Sequence, residues 1–269
     1  MIKRIITSSV LISIIFVTIF FFPLWIFSLV ASIFIGLGIS EFFRLNSKSN
    51  FPRLFIYIGV SLGMLLPYLT YFCGREGGLW EALFFIFSLI ALFLVQFTRK
   101  ENLNSITLIA LTLFGIFYVG WFFSFLVKIR SLADGHKLVM YLLFVTKAGD
   151  VGAYLIGTRF GKHALIPRIS PKKSIEGAIG GFMFSVAAAL ISRSFLGWMP
   201  FAAIFICGVI IGVFAQLGDL AESLVKRDYQ VKDSSFFLPG LGGVLDVLDS
   251  VLFTAPIFYI YLIFIMKIG

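Results

Sequence analysis

The chain reads as an all-α polytopic membrane protein, an integral helix bundle with about nine transmembrane helices, and three observations predict this fold class. Hydrophobic residues make up 60% of the 269 residues and charged residues 13%, and the mean hydropathy of +1.05 excludes an ordinary soluble domain. Apolar runs able to cross a hydrocarbon core of about 30 Å, which takes roughly 20 helical residues, can be drawn at about nine places. The runs lack the apolar and polar alternation of barrel strands, so they read as helices.

In chain order the runs cover roughly 5–22, 24–40, 54–72, 82–97, 105–127, 138–157, 175–192, 199–217 and 247–266. Only Pro23 separates the first two, so 5–40 is readable as a tight hairpin or as one long tilted helix with a half-span. Met1-Ile2-Lys3-Arg4 before an apolar run has the charge pattern of a signal peptide. Hydrophobicity continues to Ser40 without a small-residue cleavage site, so an uncleaved anchor is expected. Cys73 and Cys207 are the only cysteines, and core packing accounts for them better than redox or metal chemistry. No repeat or linker divides the chain. One continuous membrane domain is expected, with N-terminal helices in 1–137 and the chemistry-bearing region in 138–269.

With the N-terminus inside and nine spans, 15 of the 22 basic residues fall on the inner face and 6 on the outer, with Lys147 left inside a span. This bias orients the chain by the positive-inside rule and places segments 159–173 and 219–246 on one cytosolic face. Most of the net charge of +9 is explained in this way, and basic loops also lie well against anionic headgroups. Nucleic acid is not an expected partner, because no long basic tract with interleaved aromatics stands outside the membrane.

Three groups of polar residues interrupt the apolar pattern. Lys147 and Asp150 lie several residues deep in the sixth span, where an ionisable side chain costs about 2.5–3.5 kcal/mol or more and needs a partner or a wet cavity. A structural ion pair at i, i+3 is one account. Gly149 and Gly152 beside them would also let another helix or a polar ligand approach closely. After that span comes Ser170-Pro171-Lys172-Lys173-Ser174. Ser170 or Ser174 can cap the next helix, with Pro171 at its start and Glu176 in its first turn, and the two lysines would make that helix start an anion site. Topology alone also explains the lysines. His163 nearby reads as an ordinary loop residue.

The third group begins at Asp219. Helical spacing puts Asp219, Glu222, Ser223 and Lys226 on one face, and Asp246 and Asp249 form a second acidic pair at the mouth of the ninth span. Two such pairs entering from the same side repel unless a cation lies between them. Oxygen-only ligands favour a hard ion, magnesium before zinc, which takes substrate phosphates as further ligands. Between the pairs, Gly240, Gly242 and Gly243 permit a backbone to fold against a phosphate chain or another helix.

These residues, taken together, resemble the phosphatidate cytidylyltransferases, or CDP-diacylglycerol synthases. That family's signature runs Ser-x-x-Lys-Arg, Lys-Asp, Pro-Gly-His-Gly-Gly and Asp-Arg-x-Asp. Here the same order stands as Ser223-Leu224-Val225-Lys226-Arg227, Lys232-Asp233, Pro239-Gly240-Leu241-Gly242-Gly243 and Asp246-Val247-Leu248-Asp249. Asp150 to Tyr154, Ser170 to Lys173 and Gly218-Asp219 also match, so the resemblance covers roughly 140–256. Leu241 and Val247 replace the usual His and Arg, which removes a proton or phosphate partner and a fork donor.

The resemblance implies transfer of CMP from CTP to phosphatidate, giving CDP-diacylglycerol and pyrophosphate. It implies magnesium on Asp219 and Asp246, with a second cation as an option. Lys172, Lys173, Lys226, Arg227 and Lys232 would neutralise phosphate oxygens, and Asp150, Glu222, Asp233 and Asp249 would complete the metal shell or orient the lysines. It further implies a homodimer in the bacterial inner membrane. The alternatives are a CTP-dependent polyprenol or phytol kinase of the same superfamily and, from another class, an ion-coupled transporter using Lys147, Asp150 and Asp219. The expected topology is checked with single cysteines, Lys162→Cys and Ser131→Cys, in a cysteine-free background. An impermeant thiol reagent added to intact cells should label position 131 and spare position 162.

Overall fold

The computed structural model describes residues 2–45, 51–73, 78–100, 104–231, 234–235 and 238–267, with side chains from residue 6 onward. The helices are α1 (Ile2–Phe20), α2 (Leu24–Leu45), α3 (Arg53–Cys73), α4 (Gly78–Phe97), α5 (Ser105–Gly115), α6 (Phe122–Arg130), α7 (Gly135–Phe160), α8 (Ile175–Ile191), α9 (Phe201–Asp228) and α10 (Val244–Ile260). A π-helical segment, Ile116–Trp121, joins α5 to α6, so Ser105–Arg130 is one span. Among the described residues, eight helices are long and apolar enough to cross a membrane, and Ile6–Phe20 adds a shorter apolar one. The chain is an integral membrane protein.

Pro23 resolves the ambiguity at the start of the chain. Proline fixes φ and lacks an amide proton, so it ends one helix and opens the next. Phe27 N donates to Pro23 O at 3.2 Å, and α2 starts there as a separate helix. The intervening turn is held from a distance by Arg130, whose Nε donates to Ile19 O at 3.2 Å. Elsewhere the helices overrun the apolar windows. The eighth window closes at 217 because charge begins at Asp219, whereas α9 continues to Asp228.

One short hairpin departs from the helical pattern. Strands β1 (Ala164–Ile166) and β2 (Ser170–Ser174) pair antiparallel, with Ile166 opposite Ser170 and Ala164 opposite Ser174. The expected position of Pro171 is thereby corrected: it lies within β2, and the helix starts later. Ser174 is the cap of α8, its Oγ accepting from Gly177 N at 3.1 Å. Lys172 and Lys173 therefore sit on a strand just ahead of α8. Pro171 is tolerated there because this two-stranded sheet has only edges.

Lipid tails are as apolar as leucine, so close helix contacts rely on small residues rather than on a hydrophobic drive. Gly152 of α7 faces Phe184 of α8, where an added Cβ would lie 2.5 Å from the Phe184 Cβ. Gly218 of α9 backs onto α10, where a Cβ would lie 2.5 Å from the Asp249 carbonyl oxygen. A buried apolar cluster runs from Ile19 through Phe42 and Val119 to Leu262, tying the N-terminal helices to α10. This arrangement gathers the last turns of α2, α7 and α9 and the first turns of α8 and α10 at one end of the bundle. Segments 159–173 and 219–231 meet there, as Arg227 Nε donates to Ile169 O at 3.1 Å.

Gly152→Leu should separate α7 from α8 and destabilise the detergent-solubilised protein by about 1–3 kcal/mol in thermal unfolding, as overpacking of a close contact does. Gly78→Ala, where a Cβ meets open space, should leave the transition unchanged.

Candidate active site

Lys147 lies within α7, and its ammonium reaches three acceptors. Nζ donates to Asp150 Oδ2 at 2.9 Å, to Ser250 Oγ at 3.0 Å and to the Val247 carbonyl at 3.1 Å. Ser250 Oγ in turn donates to Asp150 Oδ2 at 3.2 Å. The i, i+3 ion pair is present, and it is also a tie across to α10. All three ammonium protons have acceptors, which offsets the burden of an ionisable group in a span.

The second cluster centres on Lys226. Glu222 is fully buried, one turn before Lys226 on α9, and forms an ion pair with its ammonium. The same Nζ donates to Asp246 Oδ1 at 2.7 Å. Asp246 Oδ2 accepts from Gly243 N at 2.7 Å, Ser234 Oγ at 2.8 Å and Ser234 N at 3.1 Å. The expected repulsion between the acidic pairs is thus relieved by a lysine of the chain itself. Asp219 has its own ammonium partner, Lys173 Nζ at 2.6 Å.

Asp249 differs from these carboxylates. Its Oδ1 accepts from Ser250 N at 2.5 Å, and no ammonium among the described residues lies within ion-pair distance. It stands within electrostatic range of Asp219, Asp150 and Lys147. Glu222 Oε1 is buried with no hydrogen-bond partner among the described residues. Tyr118, from the π-helical segment, brings a buried hydroxyl with no described hydrogen-bond partner toward Glu222, Asp249 and Asp219.

The glycine-rich loop folds onto the start of α10. Leu238 to Leu241 form a turn with Leu241 N donating to Leu238 O at 3.0 Å, and Gly240 takes the φ of 83° that the third position of a type II turn requires. Gly242, at φ 96°, has no room for a side chain, because a Cβ would lie 2.5 Å from Asp246 Oδ2. Glu41, at the end of α2, accepts from Leu245 N at 2.8 Å, Ser235 Oγ at 2.5 Å and Ser234 Oγ at 3.2 Å.

Most of the residues singled out in the sequence meet at this end of the bundle. Asp150 and Asp249 share Ser250, Lys173 pairs with Asp219, and Glu222, Lys226, Asp246 and Gly243 form the third group, with Gly242 packed against Asp246. Ser170 is half-buried on β2, Ser223 half-buried on α9, and Lys172 is exposed. Arg227 braces the hairpin rather than a carboxylate. Lys232 and Asp233 lie outside the described residues. His163 is more than a bare loop residue: its Nδ1 lies 2.6 Å from Glu176 Oε1, and Glu176 Oε2 also accepts from Lys162 N at 3.0 Å. At the two departures, Leu241 is half-buried in the turn and Val247 offers its carbonyl to Lys147.

Glu41, Tyr118, Ser234 and Ser250 escaped the sequence analysis. Glu41 carried a signal, an acidic residue abutting an apolar run, but it fell one residue beyond the window that closed at 40. The serines had none until the helices were placed.

The described residues contain no ready-made cage of three or more metal ligands. The donor chemistry does suit a hard cation: every candidate is an oxygen, and Asp249 has no ion-pair partner among the described residues. Two carboxylates suffice for magnesium, which keeps waters and takes phosphate oxygens. Asp246 already accepts four contacts, so its use as a ligand requires Lys226 or Ser234 to let go.

Lys226→Met should leave Glu222 buried without its cation and cost about 3–5 kcal/mol in unfolding measurements. Adding Glu222→Gln should recover part of that loss, a coupling of about 0.5–3 kcal/mol between the two positions.

Comparison with known proteins identifies the family. Residues 2–265 match the model of the cytidylyltransferase family, so the likeness extends well beyond the stretch of 140–256. A phosphatidate cytidylyltransferase of Staphylococcus saprophyticus subsp. saprophyticus is 37% identical over 207 residues, covering 76% of this chain and 77% of that protein. A phosphatidate cytidylyltransferase of Staphylococcus aureus (strain COL) is 34% identical over 239 residues, covering 87% and 88%. An uncharacterized protein of Escherichia coli (strain K12), YnbB, is 31% identical over 251 residues, covering 89% and 80%. With a match across nearly its whole length and the signature residues gathered at one site, the chain belongs to the cytidylyltransferase family.

Proposed function

We propose that the protein is a phosphatidate cytidylyltransferase that transfers CMP from CTP to phosphatidate, giving CDP-diacylglycerol and pyrophosphate. The observation that supports this most is the set of lysine and carboxylate pairs at one end of an apolar bundle, on residues that match the family signature. A phosphatidate oxygen attacks the α-phosphorus of CTP, the new P–O bond forms, and the bond to the β-phosphate oxygen breaks to release pyrophosphate. The nucleophile is already an anion, so no strong general base is needed, and catalysis rests on positioning and neutralisation of charge.

Lys173 and Lys226 are suited to the neutralising role. Each is held by carboxylates, and each can exchange that partner for a phosphate oxygen. Exposed Lys172 extends the positive surface toward the nucleotide, and Lys147 keeps Asp150 and the first turns of α10 in place. Asp219 and Asp249 would hold magnesium, with Asp246 and Glu222 joining them when Lys226 moves to substrate. Bound there, magnesium supplies charge stabilisation for the departing pyrophosphate. A second cation near Glu222 belongs to the same proposal. So do a homodimeric assembly and a place in the inner membrane with the site facing the cytosol.

Purified protein given phosphatidate and CTP labelled at the α-phosphate should yield labelled lipid, whereas label at the γ-phosphate should stay in pyrophosphate. Transfer of γ-label to a lipid would assign the protein to the kinases instead. Asp219→Asn should abolish lipid labelling while leaving the thermal transition of the detergent-solubilised protein in place. Activity that survives in this variant at saturating magnesium would remove Asp219 from the site.

A further inference from the structure

We propose that Glu41 is a positioning residue for the reaction, setting Ser234, Ser235 and the start of α10 so that Asp246 and Lys226 hold their charges where the nucleotide phosphates bind. This inference rests on the proposed use of CTP. Glu41 belongs to α2, far in sequence from every signature residue, and it is only 3% exposed. A carboxylate in such a place needs donors, and three converge on it: Leu245 N at 2.8 Å, Ser235 Oγ at 2.5 Å and Ser234 Oγ at 3.2 Å.

Each donor belongs to the catalytic end of the bundle. Leu245 N is among the first amides of α10, which have no partner within the helix, and a negative charge is favoured at that terminus. Ser234 Oγ has a single proton and two carboxylate neighbours, Asp246 Oδ2 at 2.8 Å and Glu41 Oε2 at 3.2 Å. Asp246, which also accepts from Ser234 N and Gly243 N, is therefore coupled to Glu41 through one shared hydroxyl, and Asp246 in turn holds Lys226. Gly243 completes the fit, since a Cβ there would lie 2.5 Å from Glu41 Oε2. Glu41 reaches the nucleotide only through Asp246 and Lys226.

A mere tie between α2 and α10 would lower stability and leave the kinetics of the folded molecules unchanged. The test therefore separates kinetics from stability in Glu41→Gln, Glu41→Asp and Ser234→Ala, each purified in detergent. Glu41→Gln keeps the shape but not the charge. It should lower kcat/KM for CTP about ten- to a hundredfold, the range for one hydrogen bond to a charged group, and leave KM for phosphatidate unchanged. Hydrogen exchange at the amides of 243–245 should quicken in parallel. Glu41→Asp, which keeps the charge, should restore part of the CTP effect, and Ser234→Ala, which removes the hydroxyl shared by Glu41 and Asp246, should reproduce it with Glu41 itself intact.

Wild-type CTP kinetics in Glu41→Gln and Ser234→Ala would overturn the inference. So would unchanged exchange at 243–245, which needs no turnover. Absence of CDP-lipid product from the wild-type protein would instead overturn the proposed function, leaving the exchange measurement to decide the role of Glu41.

Discussion

Charge neutralisation in a poorly solvated place is the constraint on which the rest of this structure depends. Asp150, Asp219, Glu222, Asp246 and Asp249 gather toward one end of the bundle, and Glu222 and Asp246 are shielded from water there beside Lys226. Lys147, Lys173 and Lys226 each hold at least one of these carboxylates. The ion pairs are weak evidence for stability in themselves, since apolar residues would pack there at lower cost. Under the proposed function the pairs have a further use, because a paired lysine is an ammonium already held in place for a phosphate.

Helix packing serves that arrangement. Gly218 lets α9 lie against the Asp249 carbonyl, which brings the acidic face of α9 onto the start of α10. Gly152 does the same for α7 and α8, so that β2 and its Lys173 reach across to Asp219. The N-terminal helices close the other side. Tyr118 packs against Phe253 of α10 with ring centroids 6.2 Å apart, and Glu41 clasps the loop that precedes α10.

The bundle and much of its site were legible in the sequence because membrane burial leaves a simple trace: long apolar runs and conspicuous charge. The pairing of Lys147 with Asp150 follows from helical spacing, and so does that of Glu222 with Lys226. Spacing could not show that Lys226 also spans to Asp246, 20 residues on, or that Lys173 sits on a strand. Both depend on how helices cross. Glu41 was hidden for a different reason, since an apolar window stops at the first charge and so discards the buried carboxylate at its edge. Ser234 and Ser250 are ordinary residues whose importance comes only from their neighbours.

The length of α9 has a kinetic consequence. Its 28 residues rise about 42 Å, against a hydrocarbon thickness of about 30 Å. From Phe201 to Asp219 the rise is about 27 Å, close to that thickness, and Lys226 follows about two turns later. Under the proposed function, with Phe201 near one membrane face, a glycerophospholipid would present its phosphate to the acidic turn without leaving its leaflet. Under the proposed function, such an enzyme senses its lipid as a mole fraction in two dimensions and its nucleotide as a concentration in three. Diluting the membrane with inert lipid then slows it even when the total amount of substrate is fixed.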